Sequence, residues 1–255
     1  MSRAARRFAC RVLPALLLAG AVPVPGQAEP APCRPLTFER AAYTVCTVDL
    51  RRHAIRLYWQ KSDGAPYGYL NALPKTATSA GPLLAAMNAG MYDPAYKPVG
   101  LYVEGGRELV AASTRGGYGN FHLKPNGIFW AGNGTAGVLE TSAYLKAKPA
   151  AEIATQSGPM LVVNGRIHPR FSPAMSSAKR RNGVGVLDDH TAVFAISDGE
   201  VTLFEFARLY RDGLKTPNAL FLDGGSVPTL YDPATREGSN LLPLGPMLGI
   251  YARGK

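Results

Sequence analysis

Five segments of this chain share one layout, in which a polar side chain and a glycine follow an apolar run. They contain Asn88 in LLAAMNAGMYD, Asn126 in LKPNGIF, Gln156, Ser157 and Gly158 in ATQSGPML, Arg181 and Asn182 in KRRNGVGV, and Asp223 in LFLDGGS. Glycine allows a sharp turn or the close approach of a ligand, and the end of a strand presents a side chain from a rigid scaffold. For any one segment a turn residue that caps a strand is the commoner explanation. Five repetitions of the layout favour a shared functional site.

Asp223 is the most unusual of these residues. It interrupts the apolar run LFLDGGSVPTLYD, residues 220–232, which resumes at once with Val227 and Leu230. A run of this kind normally ends in a solvated turn, whereas here the carboxylate falls between two predicted strands. A rigid acid that faces a cleft is the functional interpretation of this placement.

The common catalytic and cofactor motifs are absent from the sequence. Ser226 follows two glycines but precedes Val227 and Pro228, so it does not form a G-x-S-x-G elbow. The sequence also lacks a P-loop, a dinucleotide fingerprint, H-E-x-x-H and C-x-x-C. The four histidines, at positions 53, 122, 168 and 190, are scattered. We therefore expect neither a metal site nor a cofactor.

The elements that would position these residues are mostly strands. TVCTVDL places Cys46, Val48 and Leu50 on one face, and HAIRLYWQ alternates in the same way, as half-buried strands do. Three further segments resemble hairpins: GLYVEGGRELVAA with a Gly-Gly turn, GPMLVVNGRIHP turning at Asn164-Gly165, and GVGVLDDHTAVFAIS turning at Asp188-Asp189. NALFLD is also predicted as a strand.

Few helices are indicated. TLFEFARLYRDGL has Leu203, Phe206, Ala207 and Tyr210 at helical spacing, with Gly213 at the stop position. We expect a shorter helix in the AEIAT region, while SAGPLLAAMNAG is ambiguous between helix and strand. The fold class that follows is α+β, with mixed or antiparallel sheets built from hairpins and few helices.

The polar segments, taken in order, resemble the phosphodiester glycosidase family from about residue 80 to the end. NAGMY, QSGPML and RNGVG are similar to three segments of that family, and they are followed by the predicted helix and LDGG. Two residues depart from the family pattern: Ala89 replaces a glycine, and Ser226 follows the glycine pair directly where many relatives have another glycine.

The resemblance implies hydrolysis of the glycosidic bond of a sugar 1-phosphodiester or a related envelope glycan. Asp223 and Arg181 would be catalytic: the arginine grips the phosphate, and the carboxylate stabilises an oxocarbenium-like transition state, acts as nucleophile or activates water. The implied substrate-binding residues are Asn88, Asn126, Gln156, Gly158, Asn182, Gly224, Gly225 and Ser226. Two alternatives remain: a non-catalytic protein that binds a glycan or a partner in the same cleft, and a buried Asp223–Arg181 ion pair with a structural role.

The amino terminus has the order of a secretory signal peptide. MSRAARRFACR carries four arginines and no acid, an apolar stretch follows, and PGQA ends at the small residue Ala28. The apolar stretch is about 13 residues long, whereas a spanning helix needs roughly 20, which favours cleavage over a retained anchor. We therefore expect residues 1–28 to be removed, and residues 29–255 to form a single domain that is exported to the periplasm or secreted.

Composition of the remaining chain fits an exported protein. Losing the four arginines lowers the formal net charge from +10 to +6, and no basic run interleaved with aromatic residues suggests nucleic acid as a partner. The remaining cysteines, Cys33 and Cys46, form an even pair, so in an oxidising compartment we expect a disulfide between them. Two reduced cysteines are the alternative. The sequence leaves the oligomeric state open.

Overall fold

The computed structural model describes residues 32–77, 80–233 and 242–254. The predicted signal peptide lies outside these residues. In chain order the strands are β1 (Cys33–Phe38), β2 (Ala41–Asp49), β3 (His53–Tyr58), β4 (Leu83–Asn88), β5 (Tyr102–Glu104), β6 (Arg107–Val110), β7 (Gly127–Gly132), β8 (Thr135–Glu140), β9 (Ile153–Ser157), β10 (Met160–Val163), β11 (Arg166–Ile167), β12 (Arg181–Asp188), β13 (Thr191–Ser197), β14 (Asn218–Gly224), β15 (Leu230–Tyr231) and β16 (Met247–Ala252). The helices are α1 (Thr141–Ala147) and α2 (Leu203–Arg208), and α2 continues as a π-helical turn (Leu209–Gly213).

These strands form three sheets, and their pairings are antiparallel. The seven-stranded sheet has the order β1-β2-β13-β12-β14-β10-β11, the four-stranded sheet β15-β4-β16-β3, and the five-stranded sheet β6-β5-β9-β7-β8. The predicted α+β class, with antiparallel hairpins and few helices, is confirmed. Neither helix of the described part has the length and apolar composition needed to cross a membrane.

The central strands of the seven-stranded sheet are buried on both faces. Along β13, Phe194 and Ile196 enter the core shared with the other sheets, while Val193 and Ala195 enter the core beneath α2. The period of two predicted for Cys46, Val48 and Leu50 is confirmed, because all three lie in the shared core. Strands covered on both faces are a rigid support for the residues at their ends.

The predicted helix in TLFEFARLYRDGL is present as α2, and it covers one face of this sheet. The four residues at helical spacing, Leu203, Phe206, Ala207 and Tyr210, are all buried in that core. Thr202 caps the helix: its side chain accepts from the Glu205 N–H while the Glu205 carboxylate accepts from the Thr202 N–H.

The expectation of a short helix in the AEIAT region was wrong. The AEIAT region forms β9, a strand whose five residues are all buried between β5 and β7, and burial on both faces suits β-branched residues such as Ile153 and Thr155. The short helix is instead α1, which Glu140 caps by accepting hydrogen bonds from the Ser142 and Ala143 N–H groups. The ambiguous segment SAGPLLAAMNAG contains strand β4.

The predicted hairpins are present, with one shift in a turn. β5–β6 turns at Gly105-Gly106 and β10–β11 at Asn164-Gly165, and these residues have positive φ. In β12–β13, Asp188 pairs with Thr191, so the turn is one residue later than predicted. At the start of the described chain, Cys33 faces Cys46 across β1 and β2, and the two are joined by the predicted disulfide.

Candidate active site

A cleft of about 370 Å³ opens where β12 begins and β14 ends. Its lining contains Asp223, Arg181, Gly224 and Gly225, together with Asn120, Met175, Ser177, Lys179 and Leu203. The strands supply the acid and the arginine because β12 begins at Arg181 directly opposite Gly224, the last residue of β14. Both predicted catalytic residues therefore line one cleft whose size suits a small ligand.

The Asp223 carboxyl is largely desolvated, and no Lys, Arg or His of the described chain forms an ion pair with it. Its Oδ1 accepts a hydrogen bond of 2.7 Å from the Gly224 N–H, and within the described residues it belongs to no ion pair. Burial raises the pKa of Asp223 to about 7, although the Gly224 hydrogen bond acts in the opposite direction. A carboxyl with this pKa exchanges its proton near neutral pH, as a general acid or base must.

Arg181 is a buried cation whose charge no carboxylate of the described chain offsets. Its side chain donates from Nε to the Val201 carbonyl and from Nη2 to the Ser177 carbonyl, each at 2.7 Å, and its guanidinium lies over the Phe221 ring. The residue is 3% exposed, and burial lowers its pKa to about 10. Among the described residues two of its five N–H groups have partners, which leaves three that a ligand could use. The suggested Asp223–Arg181 ion pair is not formed.

Two predicted site residues form a buried amide pair directly behind Asp223. Asn182 donates from Nδ2 to Asn88 Oδ1 at 2.9 Å and to the Asn88 carbonyl at 3.1 Å. In addition, Asn182 Oδ1 accepts from the Asp223 N–H at 3.0 Å, and Asn88 Oδ1 accepts from the Thr229 N–H at 3.1 Å. The pair joins β12 to β4 and holds both ends of the Gly-Gly loop, so these amides position the acid from inside the protein.

A second buried hydrogen-bond network supports the wall of the cleft that contains Asn120. Asn126 donates from Nδ2 to the Phe121 carbonyl at 2.9 Å, which holds the 3-10 turn Asn120–His122. A Cβ on Gly158 would lie 2.7 Å from the Asn126 Cβ and 2.8 Å from the Phe121 carbonyl oxygen, so only glycine fits there. The network places Asn120 at the cleft.

Gln156 belongs to the same network. Its Oε1 accepts from the Leu101 and Ser113 N–H groups at 3.0 and 2.8 Å, and its Nε2 donates to the Ser113 carbonyl at 2.7 Å and to Thr141 Oγ1 at 3.2 Å. Both polar atoms of this buried amide therefore have protein partners, and the side chain fixes the start of the loop that leads to the cleft.

The cleft brings together four of the predicted site residues: Asp223, Arg181, Gly224 and Gly225. The buried positions of Asn88, Asn126, Gln156, Gly158 and Asn182 are as described above, and the exposed Ser226 is not part of the lining. That the residues outside the lining contact a substrate stays a prediction.

Sequence reasoning missed Lys179, Asn120 and Tyr92. Lys179 and Asn120 line the cleft, and Tyr92 lies close enough to Asp223 that the carboxyl adds to the effect of burial in raising the pKa of Tyr92 to about 12. The signal for Lys179 was available in the run Lys179-Arg180-Arg181 before β12. No comparable pattern marks Asn120.

The arrangement is suited to an anionic substrate. Lys179 and the unpaired Arg181 provide positive charge, and Asp223 provides a group that gains or loses a proton near neutral pH. Among residues 32–77, 80–233 and 242–254 no cluster of three His, Cys, Asp or Glu side chains could hold a metal ion.

Comparisons with known proteins identify one relative by sequence and two solved structures of similar fold. YigE, an uncharacterized protein of Escherichia coli (strain K12), is 39% identical to this chain over 208 residues. The aligned region covers 82% of this chain and 81% of YigE. The catalytic domain of zebrafish N-acetylglucosamine-1-phosphodiester alpha-N-acetylglucosaminidase, auto-inhibited by its pro-peptide, superposes with a TM-score of 0.59 at 16% identity, covering 86% of this chain and 81% of that one. A hypothetical protein from Synechocystis gives a TM-score of 0.52 at 15% identity, covering 87% of this chain and 61% of the other.

The structural likenesses concern the fold, because their sequence identities are low. Family membership rests on sequence: residues 82–251 match the profile of the phosphodiester glycosidase family, and YigE is similar over most of both chains. This family is associated with hydrolases of the glycosidase type. The chain belongs to the phosphodiester glycosidase family.

Proposed function

We propose that this protein is an exported hydrolase that cleaves the glycosidic bond of a sugar 1-phosphodiester or a related envelope glycan phosphodiester. The observation that carries the proposal is the buried, unpaired Arg181 in one cleft with Asp223. Buried charges in proteins are normally paired, since removing an ion from water costs several kcal/mol. A bound phosphate group would supply the missing negative charge.

The chemistry suits these residues because the leaving group is a phosphate monoester. Such a group is weakly basic, so departure from the anomeric carbon needs less help from a general acid than departure of a sugar alcohol. Arg181 and Lys179 would hold the phosphate, and Arg181 retains three N–H groups for this purpose. Asp223, when ionised, would stabilise positive charge at the anomeric carbon, attack it or activate water.

The buried amides take a positioning role in this mechanism. Asn88 and Asn182 hold the backbone on both sides of the Gly-Gly loop, which fixes Asp223 against the cleft. Asn126 holds the turn that carries Asn120. Small displacements of reacting groups reduce rates strongly, so such internal support contributes to catalysis without substrate contact.

Export is the second part of the proposal. The bonded pair Cys33–Cys46 is the form expected in an oxidising compartment, and residues 1–28 have the order of a signal peptide. We propose that the functional chain is residues 29–255. Mass spectrometry of protein recovered outside the cytoplasm should give a chain that begins near Glu29, whereas an intact first segment would indicate an anchored form.

The activity is tested by incubating purified residues 29–255 with a panel of sugar 1-phosphodiesters in ¹⁸O-labelled water. We expect free sugar carrying the label at its anomeric carbon, together with an unlabelled phosphate monoester. Label in the phosphate would show cleavage at phosphorus and would refute the glycosidase proposal. Binding of diesters without turnover would favour the non-catalytic binding protein.

A further inference from the structure

A second cavity of about 370 Å³ opens between helix α2 and the hairpin of β1 and β2. We call it the hairpin cavity. The described residues that line it do not line the cleft, and the mechanism above does not use them. Its lining consists of residues 38–41 and Tyr43 of the hairpin, residues 200–201 before α2, and Glu205 and Arg208 of α2.

Tyr43 brings a buried side chain with an unpartnered hydroxyl to this cavity. The residue is 1% exposed, and its ring stacks on Phe206 with the centroids 6.2 Å apart. Within the described chain the hydroxyl makes no hydrogen bond. The carboxylates of Glu205 and Glu39, which line the cavity, add to burial in raising the pKa of Tyr43 to about 12, so the hydroxyl faces them. Because buried polar groups are normally paired, its partner must come from the cavity.

The acids of the lining add further acceptors. Glu200 forms no ion pair or hydrogen bond within the described chain. Glu205 accepts from the N–H and the hydroxyl of Thr202, both through Oε2, so its Oε1 is not used. Glu39, in contrast, is held by Arg208, whose Nη2 lies 2.6 Å from its Oε1. Two of the three acids therefore retain oxygens that a ligand could bind.

We infer that the hairpin cavity binds a small primary ammonium ion. An ammonium group has three donors and no acceptor. These donors match three acceptors without partners in the described chain, namely Tyr43 Oη, the Glu200 carboxylate and Glu205 Oε1. Two of the three belong to carboxylates, which make the stronger, charge-assisted hydrogen bonds.

Other lining residues limit the size and charge of this amine. Phe38 and Ala41 supply apolar surface for a short alkyl chain. Arg40 also lines the cavity, and within the described chain it forms no ion pair. Its guanidinium would repel a second positive charge on the ligand, so a monoamine fits better than a diamine.

The hairpin cavity adjoins the cleft through Val201. The carbonyl of this lining residue accepts from Arg181 Nε at 2.7 Å and from the Lys179 N–H at 3.1 Å, and Arg181 and Lys179 line the cleft. The two sites are therefore neighbours that share a backbone segment. Because Asp223 in the cleft is also an acid, the experiment must show which of the two sites binds the amine.

An NMR titration of the purified protein tests the inference, with n-butylammonium chloride as probe and n-butanol as its neutral analogue. The ammonium should bind saturably with a Kd of about 1 mM, whereas the alcohol should not. Tyr43→Phe and Glu200→Gln should each raise this Kd about tenfold, because each removes one charge-assisted hydrogen bond. Arg40→Gln should lower it about threefold, because it removes a like charge.

Three variants serve as controls. Glu108→Gln changes an exposed acid outside the cavity and should leave the Kd unchanged. Asp223→Asn should also leave it unchanged, whereas a tenfold weakening would place the amine in the cleft and refute the inference. Tyr43→Phe keeps the ring on Phe206 and removes a hydroxyl without a protein partner, so its Tm should equal or exceed that of wild type.

Several results would overturn the inference. These are equal binding of n-butanol, no saturation by n-butylammonium, and an unchanged Kd in Tyr43→Phe or in Glu200→Gln. A lower Tm for Tyr43→Phe would show that the protein itself satisfies the hydroxyl, which would also refute the site. None of these measurements uses turnover, so the inference and the proposed hydrolase stand or fail separately.

Discussion

Replacing Asp223 with asparagine should stabilise the protein at neutral and alkaline pH. Burial raises the pKa of this carboxyl from 3.8 to about 7 in the folded protein, so the folded chain holds the proton more tightly than the unfolded chain. The stability that the Asp223 carboxyl contributes is therefore fully present below pH 3.8 and is lost as the pH rises to about 7. Asparagine cannot ionise, and its Oδ1 can still accept the Gly224 N–H bond.

The size of the effect follows from the two pKa values. Because Asp223 ionises more readily in the unfolded chain, it lowers the free energy of unfolding by about 1.7 kcal/mol at pH 5 and by about 4 kcal/mol at pH 8. The Asp223 side chain keeps some contact with solvent, which weakens the penalty, so we expect roughly half of these values. The increase in unfolding free energy caused by Asp223→Asn should then be about 1 kcal/mol larger at pH 8 than at pH 5. This difference corresponds to about 2–4 °C in Tm.

Denaturant unfolding of both proteins at pH 5, 6, 7, 8 and 9 provides the assay. The difference in unfolding free energy should grow up to pH 7 and remain constant above it. Each comparison is made at one pH, so other titrating groups contribute equally to both proteins. An Asp223→Asn protein that is less stable than wild type at pH 8, or a difference independent of pH, would show that the carboxyl is ionised and satisfied in the folded state.

Three further predictions concern the site. Arg181→Lys should lower turnover of a sugar 1-phosphodiester by about 100-fold or more, because lysine loses the planar fork; unchanged turnover would exclude the arginine from the site. Asn182→Ala should lower the free energy of unfolding, measured by denaturant unfolding, by roughly 2–4 kcal/mol, because it leaves buried polar groups of Asn88 and Asp223 unpaired. The exposed control Asn71→Ala should change this free energy by less than about 0.5 kcal/mol. Turnover by wild type should rise with pH through about 7 as Asp223 ionises, and a fall over that range would assign the protonated form as active.

The fold was predictable where periodicity was strong. Alternation along TVCTVDL and helical spacing in TLFEFARLYRDGL identified faces that are buried as expected. The errors came from short elements. The residues of β9 are buried on both faces and show no alternation, and α1 has only seven residues, too few for helical periodicity to be recognised.

Four of the predicted site residues line one cleft, but residue type did not indicate what the buried amides among the others contact. Asn182 and Gln156 carry amides that can bind a ligand or a neighbouring backbone, and residue type does not distinguish the two; the structure gives them protein partners. Likewise, an acid and an arginine on paired strands suggest an ion pair, and only the three-dimensional distances show that Asp223 and Arg181 do not form one. Asn120 was missed because its turn joins the cleft through tertiary contacts alone.

The central claim is that Asp223 and Arg181 serve one hydrolytic site, and turnover by Asp223→Asn protein tests it most directly. Hydrolysis of a sugar 1-phosphodiester and the thermal melt should be measured on the same sample at pH 8. We predict that hydrolysis is lost while the melting temperature equals or exceeds that of wild type, because the amide keeps the shape and removes only the charge. Wild-type turnover in folded Asp223→Asn protein would contradict the claim.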